Sequence, residues 1–297
     1  MNAAVRLPWR LNIGGQASLV PTFPVRVGIP RIIHQTFKSP PWPTEIAENV
    51  DLLKAMNRGW DYRFYTDDDI RDYIERAYGT AVLRRYDMID TRYGAARADL
   101  FRYLLLYREG GVYLDMKSGA SRPLDEVIRS DDTFLLSTWR NERGDNFHNW
   151  GLHSELSHLP FGEYQQWFIV AAAGHPFLKR VIEYVLRNID QYIRGFHGAG
   201  AYAVLRVTGP VAYTLAIEPI RTQYAHRVVD SRHDLGFTYS IFDKGSARVH
   251  EGLFQHYSSL ETPLIHVGPV RSALSALASG GRVGVKWAKA RLEGRGV

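Results

Sequence analysis

The chain has 297 residues, a formal net charge of +6, 45% apolar and 23% charged residues, and no cysteine. That make-up fits a globular protein with one large core or two modest ones, and it excludes disulfides, thiolate nucleophiles and cysteine-ligated zinc. Nearly all the excess charge sits at the end, where Arg271, Arg282, Lys286, Lys289, Arg291 and Arg295 face Glu293 alone.

Residues 1–28 are rich in turn formers and carry no period, so they read as an extended lead-in. Met1 to Arg10 lacks an uninterrupted apolar core, and no later run has the length of a membrane span. Neither a secretory signal nor a membrane anchor is therefore expected. Arg31 to Phe37 is strand-like. Thr44, after Pro43, is placed to cap a helix with Ile46, Val50 and Leu53 on one face. Asp61 to Tyr65 reads as a second strand, and Thr66 as the cap of a helix carrying Ile70, Tyr73, Ile74 and Ala77 that Gly79 ends. Asp67, Asp68 and Asp69 invite a metal reading, but acids at a helix start complement its dipole, and capping is the stronger explanation. Strand alternating with helix predicts an α/β fold with a mainly parallel, Rossmann-like sheet flanked by helices.

The stretch from Gly94 to Ser118 carries the most information. A helix there places Asp99 and Arg102 side by side, with Phe101, Leu104 and Leu105 toward the protein body. Gly110 and Gly111 stop it and turn the chain into the apolar strand Val112-Tyr113-Leu114. Strand alternation then sets Tyr113, Asp115 and Lys117 on one side. Ligands in open α/β sheets bind at the carboxyl ends of strands, so Asp115 arrives where a ligand would sit. The bland alternatives are a surface ion pair for Asp99 with Arg102 and a core position for Tyr113.

Thr133 to Leu136 and Trp167 to Ala171 read as further strands, followed by a helix from Pro176 through Tyr184 and Leu186. Between them, Arg140 to Phe161 is long, polar and dotted with histidines, as binding loops are. Eleven histidines are present, yet none has the paired helical spacing of a zinc site. No basic-aromatic motif points to nucleic acid as a partner.

The segment from Gly94 to Lys117 resembles the signature of glycosyltransferase family 32, the sugar transferases with the DXD motif, among them capsular-polysaccharide and mannan enzymes. The resemblance is carried by the small-residue run, Asp99, Arg102-Tyr103, Gly110-Gly111, Tyr113 and the first motif carboxylate, Asp115. Ile29 to Thr36 and Trp60 to Tyr65 are similar to the family's first two strands; Glu163, Gln166 and Trp167, Gly174 to Phe177 and Thr208-Gly209-Pro210 are similar to later landmarks. It implies a single nucleotide-sugar-binding domain of GT-A type over 29–270, between the lead-in 1–28 and a basic tail 271–297. It further implies retaining transfer from a nucleotide sugar to a saccharide or lipid-linked glycan, in polysaccharide biosynthesis. Donor contacts would come from His34, Gln35, Thr36, Asp99, Arg102 and Tyr113, acceptor contacts from Glu163, Gln166 and Trp167, and the catalytic load would fall on Asp115, Lys117 and Arg102.

One residue departs from the pattern: Lys117 stands where the second motif aspartate is usual. A divalent cation, Mn2+ or Mg2+, held by Asp115 and the late His256 is the favoured expectation, with direct contact between the Lys117 ammonium and phosphate as the alternative. The expected setting is the cytoplasm, where the basic tail with Trp287 could rest on the inner face of the membrane. Two rival readings are a metal-dependent phosphohydrolase using Asp115 and the histidines, and a non-catalytic nucleotide- or glycan-binding relative.

Overall fold

Two short strands rich in β-branched and aromatic residues begin the sheet. β1 (Ile32–Thr36) and β2 (Asp61–Tyr65) pair in parallel from Ile32 opposite Asp61 to Thr36 opposite Tyr65, joined by the crossover helix α1 (Thr44–Met56). α2 (Asp67–Tyr78), α3 (Thr80–Asp87) and α4 (Gly94–Glu109) follow, and α4 leads into β3 (Gly111–Leu114), which runs parallel to β1. The computed structural model describes residues 18–142, 147–242 and 260–268. Its second half comprises β4 (Gly119–Ala120), α5 (Leu124–Val127), β5 (Phe134–Leu136), β6 (Phe168–Ala171), α6 (Pro176–Asp190), α7 (Arg194–His197), α8 (Gly200–Val207), α9 (Pro210–Ile217), β7 (Arg227–Val228) and β8 (Phe237–Thr238).

The sheet order is β2-β1-β3-β6-β5-β7. β6 is antiparallel to both neighbours, so five strands run one way and one runs against them. β4 and β8 form a separate antiparallel ribbon. The expected α/β class and mainly parallel sheet are therefore present; the reversal of β6 was not anticipated. Both faces are covered. Ile33, Val112, Leu114, Phe168 and Val170 pack on one side, while Tyr113, Ile169 and Ala171 pack with α4 and α6 on the other. Such a sheet gives its strand ends, rather than its faces, to a ligand.

Local chemistry accounts for most element ends. Thr66 Oγ1 accepts from Asp69 N at 3.3 Å and Asp69 Oδ2 accepts from Thr66 N at 2.9 Å, a complete capping box. At α1 the expectation is corrected: Thr44 is the first helical residue, and the Pro43 carbonyl accepts from Ile46 and Ala47 while no side chain caps the end. Proline presets an extended entry, so Thr44 comes one position too late to cap. Ile46, Val50 and Leu53 are buried as their spacing requires. Gly110 and Gly111 have φ of +69° and +103°, and a Cβ on either would lie 2.6 Å from a backbone atom, Ala173 N or Ile32 O. Only glycine fits that turn.

α4 is the centre of the molecule. Apart from Ala98, every residue from Ala96 to Tyr107 is buried, so the helix is covered on all sides rather than amphipathic. The described part of the lead-in has no regular element but docks on α4, where the Tyr107 hydroxyl donates to Pro21 O at 3.0 Å and accepts from Phe23 N at 3.1 Å.

Three histidines, His34, His175 and His197, are buried, and loss of hydration lowers the pKa of each to about 4. The unfolded chain takes up these protons near 6.5, the folded chain only near 4. Stability is therefore lost as pH falls through that window, by roughly 1.4 kcal/mol per histidine per pH unit. Thermal denaturation at pH 7, 6, 5 and 4.5 should show a progressive fall in Tm, and a flat profile would contradict the burial of the three rings.

Candidate active site

A cavity of about 700 Å³ opens where β1 and β3 end and α4 begins. Arg102 organises its floor. The guanidinium, 3% exposed, lies 3.2 Å from Asp99 Oδ1 and 3.1 Å from Asp115 Oδ1, and donates to Gln166 O at 2.6 Å and Ala98 O at 3.4 Å. It also covers the Tyr113 ring at 4.6 Å. Burial acts against its charge, but Asp115, Tyr113 and Asp99 outweigh burial and raise its pKa. Asp99 is fully engaged as well: Gln166 Nε2 donates to Oδ1 at 3.1 Å and Thr208 Oγ1 to Oδ2 at 2.9 Å. Burial pushes the Asp99 carboxyl up, while Arg102 and the two hydrogen bonds oppose that shift. The surface ion pair considered for Asp99 and Arg102 is thus replaced by a buried network that also takes in Asp115, Gln166 and Thr208.

Asp115 is the exposed end of this network, its side chain about a quarter accessible. Strand alternation does not continue to Lys117, because β3 ends at Leu114 and Ser118 N bonds back to Asp115 O at 2.8 Å. That tight turn still leaves Asp115 and Lys117 on the cavity wall, with Lys117 Nζ 3.9 Å from the centre of the Tyr239 ring. Tyr113 and Thr36 line the cavity too.

Two expected donor contacts are corrected. His34 is wholly buried, its ring nitrogens 3.0 Å from Gly110 O and 3.2 Å from the Tyr65 hydroxyl, and it does not reach the cavity. Gln35 is buried as well; it accepts from the Tyr62 hydroxyl at 2.9 Å and donates to Leu114 O and Asp115 O at 3.3 and 3.4 Å. It fastens β1 to the turn that bears Asp115. Cover on both sheet faces turns these two polar side chains inward, where each must find a protein partner.

On the opposite wall the expectations need adjustment. Glu163 is buried, accepting from Trp139 Nε1 at 2.7 Å, with its other oxygen 2.6 Å from His153 Nε2. It lines the cavity itself and also holds these two neighbouring lining side chains in place. Gln166, expected toward an acceptor, lines the cavity with its side-chain amide bonded to Asp99. Trp167 lines the cavity while 5% exposed, and its indole N–H has no partner among the described residues. Trp139, Trp150 and His153 were not singled out as site residues. The one available signal was the histidine-dotted loop containing His153 and Trp150.

Of the expected metal ligands, only Asp115 lies among the described residues. Among the described residues no group of three histidines or acids is placed to hold a metal. Asp115 is already paired with Arg102, and Lys117 follows two residues later. His256, expected as the second ligand, and the basic tail lie outside the described residues. No helix among the described residues is long and apolar enough to cross a membrane.

Residues 43–135 match the family described as the glycosyltransferase sugar-binding region containing DXD motif. Enzymes of this family generally use divalent cations. The chain is 29% identical over 183 residues to inositol phosphoceramide mannosyltransferase 3 of Schizosaccharomyces pombe, covering 62% of this chain and 43% of that one. It is 23% identical over 241 residues to the initiation-specific alpha-1,6-mannosyltransferase of the same yeast, covering 74% and 56% respectively. The chain thus spans about half the length of the curated relatives it matches. Among solved structures, the ligand-free glycosyltransferase domain from the YGT toxin aligns over 85% of this chain and 90% of its own, at 9% identity and a TM-score of 0.49.

Proposed function

We propose that this chain, family-32-like in its DXD sugar-binding region, moves a sugar from a nucleotide-sugar donor to a saccharide or lipid-linked glycan with retention of anomeric configuration. One observation carries the reading. The matched region contains Asp99, Arg102 and Asp115, and these three form one charged network at a strand end on the wall of a large cavity.

Roles follow from exposure. Asp115 and Lys117, in one turn, meet the donor. Four contacts of the Arg102 guanidinium go to Asp99, Asp115, Gln166 and Ala98, so its main part is to position Asp115. Thr36 and Tyr113 border the donor, while Trp139, Trp150, His153 and Trp167 form the wall toward the acceptor. In transfer, the bond from the anomeric carbon to the phosphate oxygen breaks with its electron pair on the diphosphate. That oxygen takes the proton of the acceptor hydroxyl as the new glycosidic bond forms on the same face. Holding both substrates together and meeting the charge on the diphosphate are then the enzyme's main tasks. The mannosyl transfer and the lipid named in the yeast relatives support starting with activated mannose and a lipid-linked acceptor. Such an acceptor suits the cytoplasmic face of an anionic membrane, to which the basic residues from Arg271 onward would be drawn.

The purified chain should be incubated with a panel of nucleotide sugars and with saccharide and lipid-linked acceptors. Mass spectrometry should find an acceptor one sugar heavier, and NMR should show the donor's anomeric configuration preserved. Sugar released to water at one rate with or without acceptor would instead make the protein a hydrolase.

A further inference from the structure

Resting on the donor-site reading above, we infer that the donor diphosphate is held by the ammonium of Lys117 and the first turn of α4, in place of a divalent cation. The carboxylate pair that would bind a metal is reduced to Asp115, and Asp115 is held by Arg102 at 3.1 Å. Lys117 brings a fixed positive charge to the same turn and the same cavity, with its Nζ over the Tyr239 ring. A lysine ammonium is a point charge that binds phosphate without demanding a particular geometry.

The second element is the start of α4. Its first turn contains no acid and no side chain caps it, in contrast to the capping box on α2. The backbone N–H groups of Gly94, Ala95 and Ala96 have no acceptor among the described residues. Gly94, Ala95 and Ala98 line the cavity, and a Cβ at Gly94 would meet nothing within 4 Å, so the space before the helix is open. Uncapped N–H groups at the positive end of a 16-residue helix favour an anion. As the sugar–phosphate bond breaks, the additional negative charge appears on the diphosphate beside these groups, where fixed positive charge lowers the barrier.

Calorimetric titration of the full chain with UDP, GDP, ADP and inorganic pyrophosphate, each in EDTA and in Mn2+, tests this. The wild type should bind at least one probe with Kd values within threefold in the two buffers. Lys117→Ala should weaken that binding at least tenfold in EDTA, and Lys117→Asp, which restores a second carboxylate, should bind only with Mn2+. Wild-type binding that appears only with Mn2+, or Lys117→Ala binding as tightly as the wild type, would overturn the inference and leave the donor site standing. Failure of every probe in both buffers would overturn the donor site as well.

Discussion

Replacing Asp115 with asparagine should lower kcat/KM by about 10²- to 10³-fold, the usual loss on removing one preorganised charged group from a transfer site. Tm should stay within about 3 °C of the wild type. The two outcomes separate because Asp115 is the accessible end of the charged network. Its removal still leaves Arg102 neutralised by Asp99 at 3.2 Å and bonded to Gln166 O. Steady-state kinetics beside thermal denaturation will check this, and unchanged turnover would remove Asp115 from the chemistry.

Arg102→Met is expected to act through the fold. It takes the one shared cation from between a buried carboxylate and a partly buried one, and it frees the Gln166 carbonyl. Breaking a buried pair from one side typically costs about 3–5 kcal/mol because a charge is stranded in a poorly hydrated place. For a chain of this length that corresponds to a fall in Tm of roughly 10 °C. Adding Asp99→Asn should recover part of the loss, since the stranded charge goes with it. A double variant no more stable than Arg102→Met would show that lost packing, not lost charge balance, is responsible.

What the sequence revealed follows the range of the forces involved. Gly110 and Gly111, the Thr66–Asp69 capping box and the face of Ile46, Val50 and Leu53 are settled within a few residues, and each was legible. The reversal of β6 was not, because strand direction depends on a partner more than fifty residues away. His34 and Gln35 sit where a strand end would offer side chains to a ligand, yet both are turned inward by cover on the second face of the sheet, which no local pattern reports. Thr208, read only as a later landmark, proves to be a hydrogen-bond partner of Asp99. The link between Glu163 and His153 escaped for a different reason: Glu163 stood out only as a landmark and His153 only as one histidine of a long loop, and only the folded loop brings them to 2.6 Å.

The segment 163–167 serves both walls of the cavity. Its first residue anchors Trp139 and His153, while Gln166 grips Asp99 by its side chain and Arg102 by its carbonyl. A load applied at one end is therefore transmitted to the other through a handful of peptide bonds. Occupancy by acceptor should tighten or loosen the hold on donor by some factor, and the donor must then change acceptor affinity by the same factor.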